Sequence, residues 1–270
     1  MIKYDYHIHT NNSNDGKSTM EEYIQKAIEQ GLDGLCVTDH WDIYDDIKES
    51  KLQTIDMEKY ANEYNSIKEK YGNLLNLRFG IEIGLRPEIV GQVKELVSKY
   101  KFDFIIGSSH IVNRIDVGQN SKEFFKDNDV ENGYRKYLEE VYRNIILFDE
   151  FDVYGHIDYI VRYSETDDKY MEYLVYEDLL DKILLELIKK GKGIEINTSG
   201  FRYGLNSPHP NYEILKRYKE LNGEILTVGS DSHSTDYLCY KFDLIKNKLK
   251  EIGFNNITYY EGREAKFFKL

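Results

Sequence analysis

Tyr4-Asp5-Tyr6-His7-Ile8-His9-Thr10 reads as a short apolar strand whose far end carries two histidines one residue apart. In an extended backbone alternate residues point to the same side, so His7 and His9 can present both imidazoles to one ion. Two histidines alone are weak evidence for a metal, because surface and capping pairs are commoner. Their meaning depends on whether other strands end in the same way.

Working outward, short strand-like runs alternate with longer amphipathic runs bounded by helix start and stop signals, the pattern of a parallel α/β fold. Ser18-Thr19-Met20-Glu21 predicts a capping box and Gly31 a C-cap for the first helix. Leu32 to Thr38 is the second strand, and a polar loop leads to a helix from Asp56 to Gly72. Asn76 to Ile83 is the third strand, and Pro87 opens a helix that runs to Tyr100. Phe102 to Ile106, Asp152 to Tyr154, Gly193 to Asn197 and Glu224 to Val228 supply four more strands. Helical periodicity covers Asn132 to Phe148, Tyr173 to Lys190, Pro208 to Leu221 and Asp236 to Ile252, and Ile257 to Leu270 reads as a strand and tail. No linker or low-complexity segment divides the chain, which reads as one domain over 1–270.

Composition narrows the function classes. An apolar fraction of 41% and a charged fraction of 31% suit a globular chain with a sizeable core, and no apolar run approaches the roughly 20 residues that cross a bilayer. No charged-then-apolar leader opens the sequence, so the cytoplasm is the expected location. Cys36 and Cys239 are too few and too far apart for a disulfide framework, and Cys36 sits in an apolar run as a buried thiol would. A net charge of −12 with no basic stretch argues against nucleic acid or an anionic membrane as partner. An anionic substrate must then meet a local positive charge.

Seven strands followed by helices can be wound as an open sheet or closed as a barrel, and the polar residues decide between them. His7 and His9 follow the first strand, Asp39-His40 the second, and Glu82 ends the third. His110 follows the fourth, His156 the fifth, Asn197 to Arg202 the sixth, and Asp231 and His233 the seventh. In a barrel these ends form a ring around one pocket, whereas in an open sheet they form a line. Six of the seven histidines stand at such ends, and only His209 does not. Imidazole and carboxylate without thiolate suit zinc, manganese or iron(II).

His7-Ile8-His9-Thr10, Thr38-Asp39-His40, Gly80-Ile81-Glu82, Ser109-His110, Gly155-His156-Ile157-Asp158 and Ser230-Asp231-Ser232-His233 together resemble the ordered motifs of the polymerase and histidinol phosphatase (PHP) family. Arg86-Pro87-Glu88 after Gly80-Ile81-Glu82-Ile83-Gly84, and Asn197-Thr198-Ser199-Gly200-Phe201-Arg202, resemble its stand-alone histidinol-phosphate phosphatase branch. The resemblance implies a distorted seven-stranded (β/α) barrel, TIM-like, with up to three divalent ions. It places His7, His9, Glu82 and Asp231 on one ion, with Glu82 bridging to a second held by His110 and His156. The third falls to His40, His233 and Asp15, where some relatives have histidine and where Asn14-Asp15-Gly16 also reads as a turn.

The expected reaction is hydrolysis of a small phosphate monoester by hydroxide formed from a bridging water, with Asp231, His233 and Glu82 as candidate catalytic residues. Asp231 would take a proton during attack. Arg162 and Arg202 are candidates to clamp the phosphate, since guanidinium pairs with phosphate oxygens. His209, between Pro208 and Pro210, is a candidate to protonate the leaving alkoxide or touch the substrate. Trp41, Asp42 and Tyr203 sit on loops within reach of the rest of it. The resemblance implies histidinol phosphate as substrate. The alternatives are another phosphoester, such as a nucleotide or phosphotyrosine, and a metal-binding domain without catalysis.

Overall fold

The computed structural model describes residues 2–47, 50, 52–164 and 169–270. Seven parallel strands form the frame: β1 (Tyr4–Asp5), β2 (Gly34–Val37), β3 (Asn76–Gly84), β4 (Phe104–Ser108), β5 (Val153–Tyr154), β6 (Gly193–Asn197) and β7 (Leu226–Gly229). They pair in sequence order, each parallel to the next. The ring closes where the chain leaves β7 and meets the end of β1. Tyr6 N donates to Val228 O (3.1 Å), Asp231 N to His7 O (2.7 Å) and His9 N to Ser232 O (2.8 Å), with one parallel bridge at Ile8–Ser232. The barrel expected from the strand ends is thus what forms. Its first strand is shorter than the sequence indicated, because beyond Asp5 the backbone serves this closure rather than a regular ladder.

Helices α1 (Met20–Glu29), α2 (Met57–Tyr71), α3 (Val90–Lys99), α4 (Val130–Leu147), α5 (Glu177–Lys189), α6 (Tyr212–Glu220) and α7 (Phe242–Ile252) surround it. The cap of α1 lies one residue beyond its predicted place. Thr19 accepts from Glu22 N, and the Glu22 carboxylate accepts from Thr19 N. Four helices start later than predicted: separate 3-10 turns occupy Pro87–Ile89, Tyr173–Val175 and Thr235–Tyr237 ahead of α3, α5 and α7, and Pro208 to Asn211 stays outside α6, whose cap is Asn211.

Two apolar layers follow from strand alternation. On β3, Leu77, Phe79, Ile81 and Ile83 join the core that includes Tyr60 and Tyr64 of α2 and Val93 of α3, which leaves Glu82 on the inner face. Inside the barrel Tyr6, Cys36, Phe104, Ile106 and Val153 form a second core with Tyr260. Tyr260 belongs to the antiparallel hairpin β8 (Asn256–Glu261) and β9 (Glu264–Lys269), the segment the sequence left as strand and tail. Phe104 packs edge-on against Tyr6 at 5.1 Å and lies 5.0 Å from Tyr260, and Tyr6 Oη donates to Tyr260 O at 2.7 Å. This apolar plug fills one end of the barrel, so the polar strand ends gather at the other.

Candidate metal centre

Glu82 is the hub. Its side chain is fully buried, and its two oxygens face different imidazoles. Oε2 lies 3.2 Å from His7 Nε2, 3.5 Å from His9 Nε2 and 2.8 Å from His40 Nδ1. Oε1 lies 2.8 Å from His156 Nε2, 3.3 Å from His110 Nε2, and accepts from Ser108 Oγ at 2.7 Å. Asp231 Oδ1 stands 3.2 Å from His9 Nε2 and 3.9 Å from His7 Nε2. At the rim, Asp15 Oδ2 lies 3.0 Å from His233 Nε2 and its Oδ1 3.9 Å from His40 Nε2. The rings of His40 and His233 stack on His9, with centroids 3.9 and 4.3 Å away. All nine expected ligand residues therefore converge, although Asp15 is the most exposed of them, with 60% of its side chain accessible.

The donor set fits divalent cations on the evidence of its own unpaired atoms. Among the described residues, His7 Nε2, His9 Nε2, His40 Nδ1 and Glu82 Oε2 are buried with no hydrogen-bond partner. Buried polar atoms are normally paired, and a cluster of unpaired acceptors aimed at one another is relieved by a cation. Ligand atoms of His7, His9 and Glu82, of Glu82, His110 and His156, and of His9, His40 and His233 each lie within 4.8 Å of one another. The protonation pattern reflects the same crowding. Burial disfavours charge on His7, yet Glu195, Glu82 and Asp231 raise its pKa well above the usual imidazole value. His40, likewise opposed by burial, is pushed up to about 9 by Glu82 and Asp15. Burial, helped by the nearby His40 and His233, lowers His9. Glu82 and Asp231 are held far below the carboxylate range: burial opposes this, but His7 and its neighbours outweigh it.

Several residues that set this geometry had no such role in the sequence reading. Glu195, buried on β6, brings Oε1 to 2.5 Å from His7 Nδ1, which turns Nε2 toward Glu82. Its Oε2 accepts from His156 N and Asn197 Nδ2, both at 3.2 Å. A Cβ on Gly229 would come within 2.3 Å of His7 Cβ and 2.5 Å of Glu195 Oε1, so β7 needs a glycine beneath this pair. Asp42 fixes His110 through Nδ1 (3.1 Å) and also lines the cavity beside the centre. Asp39 accepts from Thr10 N (2.7 Å) and Ser13 Oγ (2.7 Å), so the first loop is folded over the second strand end, between His9 and His40. A carboxylate alternating with Asn197 inside Gly193-Ile194-Glu195-Ile196-Asn197 was the available signal for Glu195.

The two arginines converge on Asp231. Arg162 Nη2 donates to Asp231 Oδ2 (3.3 Å) and to Ser199 Oγ, and Arg202 Nη2 donates to the Asp231 carbonyl at 2.6 Å. The Arg162 guanidinium lies over the rings of Tyr159 (4.7 Å) and Tyr203 (4.4 Å), so Tyr203 packs on the arginine. His209 requires a correction. It is fully buried, its Nδ1 is 2.5 Å from Asp158 Oδ1, and its Nε2 accepts from Arg162 Nε at 2.9 Å. With both nitrogens engaged it positions Arg162 and is not placed to protonate a leaving group. The pairing of Asn197 with His209 draws the loop between Pro208 and Pro210 onto the end of β6. Trp41 is buried in the outer core and does not face the site.

The sequence profile of the PHP domain matches residues 5–199. The chain belongs to the PHP family. Within that family it is 32% identical over 267 residues to a probable histidinol-phosphatase of Clostridium acetobutylicum, covering 98% of this chain and 99% of that one. It is 27% identical over 265 residues to the histidinol-phosphatase of Lactococcus lactis, covering 97% and 96% of the two chains. The crystal structure of the Lactococcus lactis histidinol phosphate phosphatase with zinc, L-histidinol and phosphate superposes with a TM-score of 0.88 at 25% identity, covering 98% of this chain and 99% of that one. Among the described residues, no helix of this PHP protein is long and apolar enough to cross a membrane.

Proposed function

We propose that this PHP protein is a single-domain, metal-dependent phosphatase that hydrolyses L-histidinol phosphate to L-histidinol and phosphate, in the cytoplasm and as a step of histidine biosynthesis. The observation that carries the reading is the buried Glu82 carboxylate with imidazoles on both of its oxygens, in a chain matched end to end by histidinol-phosphatases. His7, His9, Glu82 and Asp231 would hold one divalent ion, Glu82, His110 and His156 a second, and His40, His233 and Asp15 a third, with zinc, manganese and iron(II) all compatible with these donors. Such ions supply Lewis-acid polarisation of phosphoryl oxygens and a water acidic enough to ionise near neutral pH.

The chain's own residues do the rest. Arg162 and Arg202 bind phosphate oxygens and oppose the charge that grows on them in the transition state. His209 and Asp158 hold Arg162 in place, and the Tyr159 and Tyr203 rings restrict its swing. Asp231 keeps Oδ2 on Arg162, Asn197 and Ser199 while Oδ1 faces His9, an ionised group placed to accept a proton from the attacking water. The test is phosphate release by metal-loaded protein from a panel containing histidinol phosphate, nucleotides and phosphotyrosine. A wide preference for histidinol phosphate is expected, and its absence overturns the substrate assignment.

A further inference from the structure

Beside the centre a cavity of about 330 Å³ opens between the first loop and the loops after β4 and β5. Its inner wall is His40 and His110, so a ligand that reaches the ions extends into it. The outer wall carries Tyr44, Tyr159, Tyr163 and Asp116. Among the described residues that line it there is no lysine or arginine.

Its carboxylates differ in what they are committed to. Asp15 is turned to His233 and Asp42 to His110. Asp116 uses Oδ1 to accept from the backbone of Gly118 and Gln119, both at 3.0 Å, and Oδ2 has no partner among the described residues. The side chain is nonetheless only 7% exposed. A small antiparallel hairpin fixes it there: Ile111 pairs with Asp116, and Val117 N donates to His110 O at 3.0 Å. Asp116 is thereby held directly beside a candidate ligand. Tyr159 stands between the two kinds of charge. Its ring takes the Arg162 guanidinium at 4.7 Å, and it also lines the cavity, with Tyr163 Oη donating to its hydroxyl at 2.7 Å.

The site is therefore polarised, with guanidinium groups gathered at Asp231 and a tyrosine-walled, carboxylate-bearing cavity on the other side of the imidazoles. A nucleotide or sugar phosphate would place neutral or anionic groups in that cavity. Carboxylate and aromatic faces instead suit an organic cation. We propose that Asp116 is a specificity-determining residue that receives an ammonium group of the substrate's alcohol portion, restricting this centre to aminoalkyl phosphates. This inference rests on the phosphatase reading and extends it to the class of alcohol accepted.

The experiment compares metal-loaded wild type with Asp116→Asn, which keeps an oxygen for the Gly118 and Gln119 amides. Two readouts are taken: the calorimetric Kd for L-histidinol, and the ratio of kcat/KM for histidinol phosphate over that for phenyl phosphate, which has no cation. In Asp116→Asn the Kd is expected to rise and the ratio to fall, each by about ten- to hundred-fold, the worth of one hydrogen bond to a charged group. Asp116→Glu should restore part of the preference. An unchanged ratio, or equal losses on both esters, overturns the proposal, as does a wild type that prefers phenyl phosphate; the phosphatase reading survives each of these. If wild type released phosphate from neither ester, that reading would fall, and the histidinol Kd alone would decide the role of Asp116.

Discussion

Replacing Glu195 by glutamine separates a residue that binds metal from one that aims a ligand. Glu195 touches no expected ion, yet its Oε1 holds His7 Nδ1 at 2.5 Å in a fully buried pair. Its two oxygens serve three donors: the His7 ring, His156 N and Asn197 Nδ2. An amide of the same length has one acceptor oxygen, so either its NH2 faces the His7 ring or it opposes the His156 and Asn197 donors. The charge-assisted bond is worth about 1.5–3 kcal/mol. Partners behind a ligating histidine typically change metal affinity by about 10- to 100-fold, the same range at roughly 1.4 kcal/mol per decade. The upper half is expected here because a second donor is left unpaired. The assay is zinc bound per chain across free-zinc concentrations set by a competing chelator, with thermal melting as the check on folding. Glu195→Gln should weaken the ion at His7 and His9 by about 100-fold while the ion at His40 and His233 keeps its affinity. Wild-type affinity for every ion in a folded Glu195→Gln protein would refute the reasoning.

Glu82→Gln should lose metal from at least two positions and lower phosphate release by about 100-fold or more, and unchanged metal content and rate would show that Glu82 bridges nothing. Arg202→Ala removes the guanidinium anchored on the Asp231 carbonyl and should raise the inhibition constant of inorganic phosphate by about ten-fold or more; unaltered inhibition would exclude Arg202 from the site. With metal removed, His40 contributes stability through a folded pKa of about 9, above the usual imidazole value. That contribution, at most about 3 kcal/mol, is complete below about pH 6.5 and lost as pH rises through 9. Melting of chelated protein should therefore decline between those values, whereas metal-loaded protein, whose imidazoles are already neutral, should not follow it.

How much of this was legible in the sequence depended on how far apart the partners lie. Each strand end announces its own ligand, and the alternation that sets Glu82 inward is local to β3. The barrel, and the ring into which it gathers the candidate ligands, could therefore be read. What could not be read is the pairing that orients each ligand, since His7 depends on a residue 188 positions away and His110 on one 68 positions away. Glu195 was hidden by attention to strand ends, although its place between Ile194 and Ile196 marks it as inward. The hairpin that carries Asp116 turns through Asn113 (φ 50°) and Arg114 (φ 62°). Without glycine at that turn it gave no sequence signal, because arginine rarely adopts this conformation. The α1 cap slipped by one residue because Ser18 and Thr19, and likewise Glu21 and Glu22, compete for the same pattern.

Under the proposed function, the arginines account for how an acidic chain can serve an anionic substrate. Asp15, Asp42, Glu82, Glu195 and Asp231 surround the centre, against two guanidinium groups, and by themselves they would repel a phosphate dianion. Arg162 is already committed through Nε to His209 and through Nη2 to Asp231 and Ser199. Arg202 commits Nη2 to the Asp231 carbonyl and keeps a buried Nη1 without a partner among the described residues. Each arginine is thus anchored along one edge by the residue that also faces His9. Asp231 itself sits at φ 52°, a left-handed conformation that costs an aspartate about 1 kcal/mol or more and persists only where its surroundings impose it. The Asp231 N bond to His7 O, the Arg202 bond to its carbonyl and the Arg162 bond to its carboxylate are those surroundings. Under the proposed function, metal ligation and phosphate recognition are therefore joined in one residue. A substitution at Asp231 would disorder the clamp as well as vacate a ligand position, and its effect on phosphate affinity would exceed the loss of one metal contact.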